Sequence, residues 1–228
     1  MTQPEPGERP EQPGPVPTGL LSAHAARVGP PGRELLPATT LKLFAGSVLV
    51  AVGAPGHGHT ALALALAGRV RLDEGSIDLD GETDPRVLQR AVALVDVPGV
   101  SEPDGNVPLR TIVGEELATA GLPASRADVR AWLAERNLDG LAGRKFEEVP
   151  AASRTPILAE LAARRPGVRF LVATLPERHG HGPDTWAAQA ERLTAAGIGV
   201  LITATHVAAT TLTGLDAPTI HIGDEDLA

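Results

Sequence analysis

A glycine-rich octapeptide between two apolar runs constrains the fold more than any other part of this chain. Residues 53–60 read GAPGHGHT, and they follow five apolar residues, 48–52, that are typical of a buried strand. Gly53, Gly58 and Thr60 match a phosphate-cradling loop, Gly-x-x-x-x-Gly-Lys-Ser/Thr, whose backbone N–H groups surround phosphates. The Lys position of that pattern holds His59. An Ala/Leu-rich helix pattern follows, and the order strand, loop, helix predicts an α/β fold. The loop matches the phosphate-cradling motif except at its Lys position.

Strand and helix patterns alternate along the rest of the chain. The predicted strands are two edge strands joined by a turn within residues 19–44, then 47–52, 76–81, 92–97, 169–173, 198–203 and 219–222. The predicted helices are 60–70, 86–90, 111–120, 125–137, 153–165, 185–196 and 207–213, with Ser125 and Ser153 as N-caps. This order predicts an α/β fold with a mainly parallel sheet, an antiparallel β edge and a helical subdomain.

Composition limits the classes of protein that need to be considered. Residues 1–18 contain six prolines among polar residues and are predicted to form a disordered tail. Residues 19–228 are then a single domain, with a helical subdomain at about residues 98–165. The net charge of −8 argues against nucleic acid as a partner. The absence of cysteine and of a long apolar run favours a cytoplasmic protein.

Several segments together resemble one known family. The helix pattern after the loop ends in Leu66-Ala67-Gly68, and residues 75–81 read GSIDLDG. At these spacings, the segments resemble an ATP-binding cassette (ABC) domain, which is the nucleotide-binding subunit of ABC transporters. The resemblance extends from about residue 20 to residue 222. Residues 158–166 (LAELAARRP) resemble the helix after the family's signature motif. Residues 199–206 (GVLITATH) resemble the strand that leads to the switch histidine, which would be His206.

The resemblance implies a P-loop NTPase-like ABC ATPase core that binds ATP and Mg²⁺. It places His206 at the catalytic switch position and Thr60 as a Mg²⁺ ligand if nucleotide binds. The remaining contacts to nucleotide are expected from the loop and the first turn of the helix. These residues are Gly53, Gly56, His57, Gly58, His59, Thr60 and Ala61.

Other positions depart from the family's pattern. Val97 occupies the Q-loop Gln position, and residues 149–153 (VPAAS) occupy the signature Leu-Ser-Gly-Gly-Gln. Thr174-Leu175-Pro176 stands where Walker B ends in Asp-Glu-Pro, and Asp184 is a candidate remnant of the D-loop. An aromatic for adenine stacking, expected near residues 27–28, is also missing. Since phosphoryl transfer needs Lys, Mg²⁺ ligands and a group that orients water, we expect ATP to bind weakly or not at all, and we expect no hydrolysis by this chain alone.

Three functions follow as alternatives. The first is a non-hydrolysing structural or regulatory subunit, peripheral at the inner face of the cell membrane, that partners an integral membrane permease or a competent second cassette in a homo- or heterodimer. The second is an active ATPase in which His59 replaces Lys and a partner supplies the missing groups. The third is a soluble module that binds an anion or a nucleotide through the loop.

Two His-x-His pairs raise a separate metal hypothesis. His57 and His59 form one pair, and His179 and His181 form the other. Imidazole is a common metal ligand, but neither pair has a carboxylate constellation beside it, so we interpret these histidines as loop residues.

Overall fold

The computed structural model describes residues 19–179, 183–206 and 217–224. The predicted tail at 1–18 and the predicted helix at 207–213 lie outside the described residues. Two β-sheets and six α-helices form the described part of the chain. No helix within it is both long enough and apolar enough to cross a bilayer.

Three strands form an antiparallel sheet of their own. They are β1 (Leu20–Val28), β2 (Leu36–Phe44) and β4 (Glu74–Leu79), in the order β2-β1-β4. The turn between β1 and β2 falls at the Gly/Pro cluster of residues 29–32, where the sequence predicts it.

Five strands form a second, wholly parallel sheet. They are β3 (Val48–Val52), β5 (Val92–Val95), β6 (Phe170–Thr174), β7 (Gly199–Ala204) and β8 (Thr219–His221). The order across the sheet is β5-β6-β7-β3-β8, so β3 lies between β7 and β8. Because both faces of the sheet are covered, its four longer strands are apolar except for the buried Thr174 and Thr203.

Six α-helices lie in the described part of the chain. They are α1 (His59–Leu66), α2 (Pro85–Ala91), α3 (Leu109–Thr119), α4 (Arg126–Glu135), α5 (Ala151–Ala163) and α6 (Pro183–Ala195). Alternate strand residues point to opposite sides of the parallel sheet. One side packs in a core with α1, α2 and the antiparallel sheet, and we call it the α1 face. The other side packs with α3 to α6, and we call it the α5 face.

Most predicted elements are present with boundaries that shift by a few residues. Ser125 caps α4 as predicted, and its side chain and that of Asp128 form a reciprocal capping box. The prediction that Ser153 caps α5 is wrong, because the helix begins at Ala151 after Pro150. The proline fixes φ near the helical value, so the chain enters the helix two residues earlier than its first polar side chain suggests.

Candidate functional site

The glycine-rich loop connects β3 to α1 at the carboxyl edge of the parallel sheet. Gly53 N–H donates to the Ala204 carbonyl at 3.1 Å, which ties the start of the loop to the end of β7. His57 N–H donates to the Ala54 carbonyl at 3.0 Å and closes a turn within the loop. Gly58 is the N-cap of α1 in the left-handed conformation, with φ of 91°. The loop therefore has the strand-to-helix geometry that places backbone N–H groups at a helix N-terminus.

Two glycines of the loop have left-handed backbones but different surroundings. A Cβ on Gly58 would lie 2.8 Å from the Leu35 carbonyl oxygen and 3.2 Å from the Leu36 Cα, so β2 and the residue before it pack directly on this backbone. A Cβ on Gly56 would meet nothing within 4 Å, although its φ of 82° is also left-handed. Packing within the chain thus explains why residue 58 is a glycine, whereas Gly56 faces open space.

His59, at the Lys position of the motif, is turned into the protein. Its side chain lies in the first turn of α1, and the residue is 4% exposed. The imidazole Nε2 lies 3.2 Å from the Ala54 carbonyl oxygen, and since a carbonyl can only accept, Nε2 donates the hydrogen bond. The same ring lies 3.3 Å from the position that a Cβ on Gly53 would occupy. The side chain therefore supports the loop from inside.

The other predicted contact residues of the loop are more accessible. His57 is exposed, and Thr60 and Ala61 at the start of α1 are half-buried. The side chain of His57 is therefore in solvent, whereas that of His59 is in the protein interior. No three histidine, aspartate or glutamate side chains converge as a metal site within residues 19–179, 183–206 and 217–224. His181 and the side chains of His179 and Asp184 lie outside what is described.

Threonines, and no carboxylates, lie on the α1 face at the carboxyl ends of β6 and β7. Thr174 ends β6 and continues the alternation of Phe170 and Val172, which lie in the core on that face. It is 1% exposed, and its hydroxyl has no hydrogen-bond partner among the described residues. Thr203 on β7 is its neighbour in register, and its hydroxyl accepts from Leu175 N–H at 3.3 Å.

The remaining predicted positions are structural in this protein. Val97 is fully buried in the core on the α1 face. Val149 is 1% exposed, and Pro150 forms the N-cap of α5 without a side-chain hydrogen bond. Val97 has no polar side chain, and the half-buried Ser153 is the one polar residue of the segment 149–153.

His206 lies two residues beyond β7 and is exposed at the carboxyl edge. Its ring centroid lies 5.6 Å from that of His221, the last residue of β8. Because β3 lies between β7 and β8, the two rings converge across the end of β3. The sequence predicted His206 at this edge but gave no reason to pair it with His221.

An acidic group that the sequence analysis missed lies at the end of β5. Asp96 is 3% exposed and has a left-handed φ of 56°. Its carboxylate accepts from Arg178 Nη2 at 2.8 Å and from Thr155 Oγ1 at 3.0 Å. Thr155 lies in α5, so this carboxylate contacts a helix that packs on the α5 face of the sheet. An acidic residue at the carboxyl end of a continuous apolar strand is the signal that could have identified it.

Comparison with known proteins gives a fold but no close relative. No protein-family model matches the chain, and no curated protein sequence matches it. Among solved structures, it is similar to an ATP-binding subunit of an ABC transporter, at 16% identity and a TM-score of 0.62 over 84% of this chain and 81% of that one. It is similar also to a nucleotide-free ATP-binding cassette from an ABC transporter, at 16% identity and a TM-score of 0.64 over 90% and 88% of the two chains.

A third similar structure is a bacterial Atm1-family ABC exporter with ATP bound. The identity is 18% and the TM-score is 0.63, over 93% of this chain and 39% of the exporter chain. These likenesses show that the chain has the fold of the ATP-binding cassette of ABC transporters, as the loop and its flanking segments predict.

Proposed function

We propose that this chain is a non-hydrolysing ABC-type subunit that acts by associating with a membrane permease or a second cassette. The observation that carries the proposal is the chemistry at the carboxyl ends of β3 and β6. His59 donates to the loop's own backbone, and Thr174 and Leu175 stand where a metal-binding and a water-orienting carboxylate are needed. Phosphoryl transfer depends on charge neutralisation and on a positioned water, and these residues supply neither.

Weak binding of ATP remains compatible with the loop. Its turn geometry and the N-terminus of α1 provide backbone donors for an anion, and Gly56 leaves open space beside them. Thr60 is the one candidate Mg²⁺ ligand that the loop provides, so Mg²⁺ should add little to the affinity. We therefore expect ATP to bind weakly and with little dependence on Mg²⁺.

The active alternative requires His59 to act as the missing lysine. For that, the imidazole would have to give up the hydrogen bond to the Ala54 carbonyl and leave a site where it is 4% exposed. The observed position of His59 thus favours the non-hydrolysing function over this alternative.

Phosphate release and calorimetry test the proposal directly. We expect the purified chain to release phosphate from Mg-ATP no faster than buffer, and Thr60→Ala to change nothing. Release that disappears in Thr60→Ala would establish the active alternative, whereas release that survives in Thr60→Ala, His59→Ala and His206→Ala would identify a contaminating enzyme.

Calorimetry measures the affinity for ATP. Tight, Mg²⁺-dependent ATP binding at both pH 6 and pH 8 would contradict the proposal. An ATP affinity that depends on pH in the wild type but not in His59→Ala would assign the phosphate contact to His59.

A groove between α3 and α4 supports association with a partner. It encloses about 990 Å³, and small residues of α3, Gly114 and Ala118, lie along it one turn apart. Arg126 and Arg130 of α4 also line it, and neither has a hydrogen-bond or ion-pair partner among the described residues. The other charged residues of its lining are Arg110, Glu115 and Asp139. Small residues permit close approach of a helix. The three arginines of the lining outnumber its two carboxylates, and this excess of positive charge favours a helix that carries carboxylates. We propose that an amphipathic, acidic helical segment of the permease occupies this groove, on the cytoplasmic side of the membrane.

Charge reversal tests the groove. We expect a membrane protein of the native host to co-purify with the wild-type chain and to be lost with Arg126→Glu/Arg130→Glu. The matched control is Arg86→Glu/Arg90→Glu, which reverses two exposed arginines of α2, a helix in the core on the α1 face. Equal recovery with all three chains, or recovery of the wild-type chain only as a lone monomer, would contradict this partner.

A further inference from the structure

We propose that Asp96, Arg178 and Thr155 form a clamp that fixes the helices α3 to α5 to the carboxyl edge of the parallel sheet. We call residues 109–163, which span these helices, the helical region. The clamp holds the helical region in one orientation whether or not the glycine-rich loop contains an anion. This inference goes beyond the proposed function, since it concerns motion within the chain and does not depend on whether ATP is hydrolysed.

The clamp joins three segments that are far apart in the sequence. Asp96 follows β5, Thr155 lies in the second turn of α5, and Arg178 follows β6. Arg178 Nη2 donates to Asp96 Oδ1 at 2.8 Å, and Thr155 Oγ1 donates to Asp96 Oδ2 at 3.0 Å. One carboxylate therefore connects the edge of the sheet to the interior of the helical region.

Arg178 is also held from the sheet side. Its Nη1 donates to the Thr174 carbonyl at 2.7 Å, and its Nη2 lies 3.3 Å from Glu102 Oε1. Glu102 belongs to the segment that leads from β5 to α3, so the same guanidinium contacts both the end of β6 and that connection. A planar guanidinium that bonds two groups in fixed directions sets orientation as well as distance.

Chain connectivity makes Asp96 an effective position for such a contact. The helical region is inserted between β5 and β6, and Asp96 is the first residue after β5. The next residue, Val97, accepts N–H bonds from Val100, Ser101 and Glu102 at 3.0, 3.0 and 3.1 Å through its carbonyl. The connection to α3 therefore begins as a closed turn. The Asp96 carboxylate beside that turn is bonded both to the edge of the sheet, through Arg178, and to the helical region, through Thr155.

Burial makes the clamp strong. Asp96 is 3% exposed, and the side chain of Arg178 is 22% exposed. Removing Arg178 leaves the buried Asp96 carboxylate without its cation, so the loss exceeds that of a surface pair. Removing the Asp96 charge leaves Arg178 with Glu102 as its remaining acidic partner. Breaking either partner should free the helical region before it unfolds the sheet.

Hydrogen exchange of the full chain, followed peptide by peptide, tests the clamp. Asp96→Asn is a suitable change because asparagine tolerates the left-handed φ at this position, so the charge changes while the backbone preference is kept. Arg178→Met removes the opposite charge. We expect amide exchange in α3 and α4 to become at least about tenfold faster in each variant, because a buried pair is broken, while exchange in β1 and α1 stays within about twofold of the wild type.

Two further variants complete the test. Asp80→Asn breaks the partly exposed ion pair of Asp80 and Arg169 at 2.9 Å and should leave exchange in α3 and α4 unchanged. Thr155→Val removes only the hydroxyl and should accelerate exchange in α3 and α4 about threefold, so it reports on the clamp even if a charge variant fails to fold. Unchanged exchange in α3 and α4, equal acceleration in all peptides, or a change in α3 and α4 when Mg-ATP is added to the wild type would overturn the inference.

Discussion

Substituting the glycines of the loop one at a time separates packing from ligand binding. In Gly58→Ala, the new methyl group meets the Leu35 carbonyl oxygen at 2.8 Å and the Leu36 Cα at 3.2 Å, and both are backbone atoms that cannot rotate away. In Gly56→Ala, the methyl group enters open space. Gly58 and Gly56 have left-handed φ angles of 91° and 82°, so the conformational free-energy cost of introducing alanine should be similar in the two variants.

The expected magnitudes follow from these contacts. A left-handed φ costs a non-glycine residue about 1–2 kcal/mol, which is the whole cost expected for Gly56→Ala. Overpacking against backbone adds about 1–3 kcal/mol, so the free energy of unfolding should fall by about 2–5 kcal/mol in Gly58→Ala. The difference between the variants, about 1–3 kcal/mol, isolates the contact with residues 35 and 36.

Urea unfolding monitored by circular dichroism measures both free energies. Equal losses in the two variants would refute the argument that packing requires Gly58. The same proteins test the loop as an anion site, because Gly56 faces the open side and its substitution should weaken phosphate binding while the fold persists. Weaker binding in Gly58→Ala without a larger loss of stability would reverse the assignment of the two glycines.

Three further predictions concern groups around the site and the helices. Thr174→Val should raise the free energy of unfolding by about 1 kcal/mol, because it removes a buried hydroxyl without a partner among the described residues, and thermal unfolding that shows a loss would contradict this. Burial opposes ionisation of Glu160, but the hydrogen bond and charge of Arg136 outweigh it, so the pKa of Glu160 lies below its ordinary value of 4.5. Its stabilising contribution is complete above that value and is lost as pH falls through the lowered pKa, so Glu160→Gln should destabilise the protein at pH 7 and match the wild type in acid; a deficit that persists at low pH would assign the effect to packing. Ser125→Ala should cost about 1 kcal/mol by removing the cap of α4, measurable by urea unfolding, and no loss would show that the Asp128 side chain suffices alone.

Local patterns in the sequence determined most of the fold. Continuous apolar runs predicted the buried strands, helical periodicity predicted the helices, and the glycine spacing predicted the strand-to-helix loop, because each signal depends on residues within one element. The same holds for the residues at 59, 97, 174 and 175, whose identity alone predicts a loss of catalytic chemistry. Helix boundaries differ from the prediction by a few residues, and Ser153 shows why: Pro150, three residues before the predicted cap, decided where α5 begins.

Only the tertiary structure decided how the side chains of the site are used. The direction of His59, the contact of Gly58 with Leu35 and the approach of His206 to His221 each depend on elements that meet across the fold. The ion pair of Asp96 and Arg178 joins residues 82 positions apart, so no local pattern could show that a buried carboxylate has a partner. Sequence periodicity fixes which face a residue occupies, whereas the partner on that face is set by the packing of distant elements against it.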